Sequence, residues 1–378
     1  MTDPLSLPFD AEAMAHELMA WIAFESPTYD AAAVARMVDL AAMTLAELDA
    51  TIEILPGRGG YGPSLRARLA HRRRGVPGVL ISGHLDTVHP VGALAANPVR
   101  IEDGRLWGPG GLDMKGGCLM AVEALRQLAA AGIETPLPIT VLFTPDEEVG
   151  TPSTRALIEA EARRHAYVLV PEPAPPQGGV TTGRYAIARF RLTAEGAPAH
   201  AGVAPEDGLS AVREMARRIL EIEARSGTDA TFSVNDLRSG RWVNCVPHWC
   251  TAQVLTMAKT EADLDAASAW LMAQAGTRNA ISFTVERDVV RPVWPDGQPA
   301  TTALYARAAD IAARMGVALP SGSMGGGSDA NFTGALGVAT LCSLGPEGAG
   351  YHTAEEYVEI ESLASRGRLF TALLAELA

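Results

Sequence analysis

The sequence has 378 residues, too many for one ordinary core, and 48% of them are hydrophobic, so two globular domains are expected. A formal net charge of −13 argues against nucleic acid and anionic membranes as partners, and no apolar run is long enough to span a bilayer. The opening MTDPLSLPFD lacks the basic start and apolar stretch of a secretory signal, which gives an expected cytoplasmic location; Cys118, Cys245, Cys250 and Cys342 form no CxxC pair and are expected to be buried, reduced thiols.

In chain order, DAAAVARMVDLAAMTLAELDA reads as a helix by composition and period. GVLISGH follows as a short buried strand, then KGGCLMAVEALRQLAAAG as a helix stopped by Gly132. PITVLFT and AYVLVPE are further strands. Strands alternating with helices predict an α/β fold with a mixed, largely parallel central sheet. The pattern then changes. AIARFRLTAEG alternates with period two, placing Ala186, Ala188, Phe190 and Leu192 on one face. The helix GLSAVREMARRILEIEA, strands near Thr231–Leu237 and Trp249–Met257, the helix EADLDAASAWLMAQAG and the strand ISFTVERDVV complete an α+β, ferredoxin-like order. After RPVWPDGQPA the chain returns to helix, glycine-rich loop, strand and helix. The expected organisation is a catalytic domain over 1–183 and 292–378 with an inserted domain over 184–291.

In TVLFTPDEEVGTPST an apolar strand ends in Asp146, Glu147 and Glu148. Burying adjacent like charges costs several kcal/mol unless a cation compensates. His84 and Asp86 follow GVLIS, Asp113 directly precedes a helix, Glu172 follows AYVLV, and His352 lies late in the chain. At least three of these positions lie just past the C-terminal ends of strands, where open α/β sheets bind ligands. Two histidines with three or four carboxylates suit a pair of divalent metals, one carboxylate bridging ions about 3.5–4 Å apart. One glutamate is then expected to stay unligated as a base, and Asp86, two residues beyond His84, to hold the second imidazole nitrogen. Singly, the same residues admit plainer roles: Asp113 as a helix N-cap, Glu172 as a solvated loop charge, His352 packing on Tyr351. Spacing alone leaves open which of Glu147 and Glu148 is the base.

The succession SGHLDTV, GPGGLDMKGG, TPDEEVGT, VPEP and GYHTAEEYV resembles the M20 family of co-catalytic metallopeptidases and amidohydrolases, across nearly the whole chain. Its glutamate carboxypeptidase, acetylornithine deacetylase and succinyl-diaminopimelate desuccinylase branches are similar in layout. The resemblance implies a di-zinc exopeptidase-like catalytic domain and an inserted lid and dimerisation domain, hence a homodimer. It implies two Zn2+ per chain, with Co2+ or Mn2+ as substitutes. Asp113 is then the bridging carboxylate, His84 and Glu172 ligands of one zinc, and Glu148 and His352 ligands of the other. Glu147 becomes the general base, Asp86 the orienting carboxylate, and Asp113–Met114 a cis peptide. EGAPAHAG resembles the family stretch whose histidine, here His200, reaches a partner subunit's site to stabilise an oxyanion. Asn244, Arg291 and Gly327 in GSMGGGSDA resemble substrate-binding positions. One departure stands out: where many relatives carry Asp-x-Arg, CTAQVLTMAKT has Leu255 and Met257, against a glutamate-like side-chain preference.

The implied function is hydrolysis of an amide bond beside a free carboxylate in a small substrate, by a water between the metals that a glutamate activates. A carboxypeptidase acting on dipeptides is the leading expectation, and an N-acyl-amino-acid deacylase the alternative. A non-catalytic metal-binding scaffold would have no reason to keep Glu147. HExxH, dinucleotide-fingerprint, phosphate-loop and GxSxG motifs are absent from the sequence.

Overall fold

The computed structural model describes residues 3–73, 75–176 and 178–378. The chain divides into two compact units, one of Met1–Gly183, Pro295–Ser323 and Ser328–Ala378, the other of Arg184–Trp294 and Met324–Gly327.

The larger unit is built on a six-stranded sheet in the order Thr51–Leu55, Ser64–Arg68, Ile139–Thr144, Gly78–His84, His165–Leu169, Ala339–Leu341. Only Ser64–Arg68 runs antiparallel to its neighbours; the other five strands point the same way. Gly78–His84 and Ile139–Thr144 are buried at every position, which is why they read as continuous apolar runs and not as alternation. The helix Gly116–Ala130 packs on Gly78–His84, Arg155–Ala162 on His165–Leu169, and Pro299–Arg314 on Ala339–Leu341. Leu18, Phe143 and Phe370 are among the fully buried side chains of this core, each worth about 1.5–3 kcal/mol of burial. Helix starts are set chemically. Asp10 accepts the Ala13 amide at 3.0 Å and Asp30 the Ala33 amide at 2.9 Å, satisfying donors that the first turn leaves unpaired. Gly132, at φ +64°, ends the helix Gly116–Ala130 where the sequence placed its stop.

The smaller unit is a five-stranded antiparallel sheet in the order Ala230–Ser239, Trp249–Ala258, Ala186–Glu195, Ile281–Arg291, Gly276–Arg278. Ala186, Ala188, Phe190, Leu192 and Ala194 form the buried row, covered by the helices Ala211–Glu223 and Glu261–Met272. The strand Gly276–Arg278 was not expected from the sequence. It pairs with Ile281–Arg291 across a two-residue turn, Asn279 and Ala280, both at positive φ.

All four cysteines are free thiols. Cys118, Cys250 and Cys342 are buried; Cys245 is only half-buried, because it lies in an exposed loop of the smaller unit, and so corrects the expectation for that residue. Among the described residues no helix is long and apolar enough to cross a membrane.

Candidate metal centre

The parallel strands deliver their chemistry at one edge. His84 is the last residue of Gly78–His84, Glu147 and Glu148 follow Ile139–Thr144 in a short 3-10 turn, and Glu172 lies just past His165–Leu169. Parallel neighbours end on the same side of the sheet, so residues scattered along the chain meet there.

Asp113 stands between two histidines. Its Oδ1 is 3.3 Å from His84 Nε2 and its Oδ2 is 3.2 Å from His352 Nε2. Each histidine has a second acid: Glu172 Oε1 at 4.0 Å from His84 Nε2, and Glu148 Oε2 at 3.1 Å from His352 Nε2. Two groups of potential metal ligands result, His84–Asp113–Glu172 and Asp113–Glu148–His352, with Asp113 common to both. Glu147 belongs to neither group among the described residues, although its Oε2 is 4.0 Å from His84 Nε2.

Two of the plainer roles do not hold, and the third leaves one face of His352 unaccounted for. The helix Gly116–Ala130 has no side-chain cap, so Asp113 is not its N-cap. Glu172 is buried, which excludes a solvated loop charge. His352 does meet the Tyr351 ring edge-on, but its Nε2 faces the two carboxylates. His352 also sits at φ +66°, a conformation unusual for a residue with a Cβ, and the peptide bond Asp113–Met114 is cis.

Charge explains what this arrangement requires. Burial pushes the Glu148 carboxyl well above its ordinary value, and the charge of Asp113 adds to that. Burial opposes a charged His84, yet Asp113 and Asp86 hold the imidazole well above its usual range. The same Asp113, with Glu148, raises His352. Asp113 is held low against its burial by the two histidines. Acids therefore outnumber the basic groups beside them. His84 Nε2 is the sharpest sign: fully buried, three carboxylates 3.3–4.0 Å away, no aligned hydrogen bond among the described residues. Such an atom, amid hard oxygen donors, fits a divalent cation.

Asp86 does more than the sequence suggested. His84 Nδ1 lies 3.0 Å from its main-chain oxygen and 3.4 Å from its carboxylate. The carboxylate accepts the Thr28 hydroxyl at 2.7 Å and the amides of Glu147 and Glu148 at 3.2 and 3.3 Å. One buried acid thus orients the imidazole and fixes the backbone of the glutamate pair.

The smaller unit holds the other candidates. Arg291 is buried at the end of its strand, and Gly327 lies against it: a Cβ there would stand 3.0 Å from Arg291 Cδ and 2.7 Å from Ile187 Cδ1. Ile187 is the cross-strand partner of both Arg291 and Met257, which puts these three side chains in one row on the sheet face away from the helices. Met257 and Leu255 are half-buried on that face. His200 and Asn244 are exposed on adjoining loops, joined by the Ala201 amide donating to the Asn244 oxygen at 2.9 Å.

With this geometry in place the comparisons decide the family. A model described as Peptidase family M20/M25/M40 matches residues 80–376. The chain belongs to the M20 peptidase family. It is 30% identical to carboxypeptidase G2 of Pseudomonas sp. (strain RS-16), over 80% of this chain and 75% of that protein. It is 26% identical to succinyl-diaminopimelate desuccinylase of Stenotrophomonas maltophilia (strain R551-3), over 80% and 85%. The fold matches aminopeptidase PepT from Bacillus cereus ATCC 10987 with a TM-score of 0.71 at 23% identity, over 97% and 98% of the two chains. As an M20 member the protein is a metallohydrolase, and its fold is the α/β catalytic unit with the smaller α+β unit expected from the sequence. Sequence reasoning passed over Thr28, His89 and Glu356. Thr28 donates to the Asp86 carboxylate and Glu356 accepts the Asp113 amide, whereas His89 reaches Asp113 only through Glu356. No motif spacing marks such partners.

Proposed function

We propose that this M20 enzyme hydrolyses an amide bond next to a free carboxylate in a small substrate, in the manner of a carboxypeptidase. The observation that carries the reading is Asp113 presenting one oxygen to each histidine while Glu147 stays outside both ligand groups. His84, Asp113 and Glu172 would hold one cation, and Asp113, Glu148 and His352 the other. Nitrogen and carboxylate ligands favour zinc, with cobalt or manganese as substitutes. Bound there, two such ions would polarise the scissile carbonyl and acidify a water.

The chain's own groups do the rest. Glu147 takes the proton of the attacking water on a carboxylate oxygen and returns it to the leaving nitrogen. Asp86 keeps Glu147 in place through its amide. Arg291, with its planar fork, receives the substrate carboxylate, and Gly327 leaves room beside it. His200 donates to the developing oxyanion, with Asn244 beside it. In a homodimer, His200 of one subunit serves the site of the other. The strand Ala230–Ser239, at the edge of its sheet, and the exposed Leu237 on it support that assembly. The enzyme is assigned to the cytoplasm.

A second reading, an N-acyl-amino-acid deacylase, is favoured by the similarity to succinyl-diaminopimelate desuccinylase. Both readings share the chemistry above and differ in which side of the amide is recognised. Zinc-loaded protein assayed against matched panels of dipeptides and N-acyl amino acids separates them. The proposal expects the highest kcat/KM among dipeptides with apolar C-terminal residues, given Met257 and Leu255. Higher values for acetyl- or succinyl-amino acids would replace it with the second reading.

A further inference from the structure

The loop that carries His352 ends four residues later in Glu356, whose side chain is completely buried. Glu356 belongs to neither ligand group among the described residues. Its carboxylate is spent on the turn that carries Asp113. Oε1 accepts the amides of Leu112 at 2.8 Å and Asp113 at 3.1 Å. Oε2 accepts the Gly110 amide at 2.9 Å and meets His89 Nε2 at 2.7 Å. Glu356 adds its main-chain oxygen, which accepts the Gly108 amide at 3.1 Å. Four donors on two buried oxygens leave the carboxylate little freedom, since charge-assisted hydrogen bonds of this kind are short and directional. One of those donors is the amide of Asp113 itself. The backbone from which the shared carboxylate projects is therefore pinned by the segment that supplies His352, across 243 residues of sequence.

We infer that Glu356 is a positioning residue: it sets Asp113 relative to His352, and through Asp113 it governs the affinity of both cation sites together. The inference rests on the reading of Asp113 as the shared ligand. A carboxylate shared by two cations has no slack, because any shift that favours one ion moves an oxygen away from the other. A neutral amide in place of the Glu356 carboxylate keeps the shape but turns an NH2 towards backbone donors.

The test is zinc affinity of the full-length protein, measured by chelator competition on stripped Glu356→Gln, with Co2+ absorption as a second readout. Loss of a residue that orients metal ligands weakens binding by about 10–100-fold. Here both equivalents are expected to weaken together, with an altered Co2+ spectrum, and the metal-free protein melts somewhat lower than the parent because the amide leaves a buried backbone donor short of an acceptor. Glu172→Ala, by contrast, weakens one equivalent. Parental affinity in Glu356→Gln overturns the inference, and so does a loss confined to one equivalent. If the parent protein itself binds only one equivalent, the shared-ligand reading fails first, a distinct outcome. If Glu356→Gln does not fold, His89→Gln removes one of the four partners and leaves the carboxylate. It must then show a smaller loss in the same direction at both equivalents, and unchanged affinity there overturns the inference.

Discussion

Asp146 accepts the Ser153 amide at 2.6 Å and the Thr154 hydroxyl, and burial holds its carboxyl above the usual range. Its two neighbours are placed differently, Glu148 facing His352 and Glu147, the proposed base, outside both ligand groups among the described residues. The distinction is measurable. Glu147→Gln should keep its metal and its melting temperature while kcat falls by about 10²–10⁴-fold, the usual cost of a positioned base. Asp146→Asn should do the reverse, lowering stability by about 1–3 kcal/mol for a buried bond network left partly unmade, with kcat per folded molecule much less affected. Steady-state kinetics with thermal melts on both variants checks the pair. The sequence showed three acids together and, through the family pattern, separated Glu147 from Glu148. It did not show what Asp146 does. Its partners lie seven and eight residues on, past a turn in which Gly150 and Thr151 both take positive φ, a conformation a β-branched residue rarely adopts.

Glu172 owes its position to two glycines, one on a helix and one in a loop. A Cβ on Gly117, at the start of the helix Gly116–Ala130, would collide with the Pro171 carbonyl oxygen, and one on Gly345 would strike the same carbonyl from another side. The Gly345 amide also donates to the Glu172 main-chain oxygen at 2.9 Å. Gly117→Ala should therefore displace Glu172 and weaken the His84 cation alone, leaving the His352 cation as it was. Stepwise zinc titration of the variant resolves the two, and equal affinities for both equivalents in variant and parent would exclude the clamp. Strands and helices were the readable part of this scale. Gly78–His84 and Ala186–Glu195 declared themselves by continuous burial and by alternation, and Gly132 by its stop. The hairpin at Asn279–Ala280 stayed hidden because alanine is not a residue that signals positive φ, and Gly276–Arg278, exposed throughout, has no apolar pattern to read.

In the whole molecule, His352 joins the candidate ligands His84, Asp113, Glu148 and Glu172 because the chain leaves the larger unit, builds the smaller one, and returns. His200 lies on the smaller unit, and its proposed task needs either closure of that unit or delivery by a partner chain. Mixed dimers of His200→Ala and Glu147→Ala chains, each inactive alone, should regain part of the activity, because one of the two sites then has both groups intact. No recovery in verified mixed dimers would mean that His200 acts within its own subunit or not at all. The central claim is the dinuclear centre built on Asp113. It is tested most directly by the zinc content of the stripped and reloaded protein, parent beside His352→Ala. The account predicts two tightly bound equivalents in the parent and a single one in the variant. A plateau at one equivalent in the parent, unchanged by the loss of His352, would contradict it.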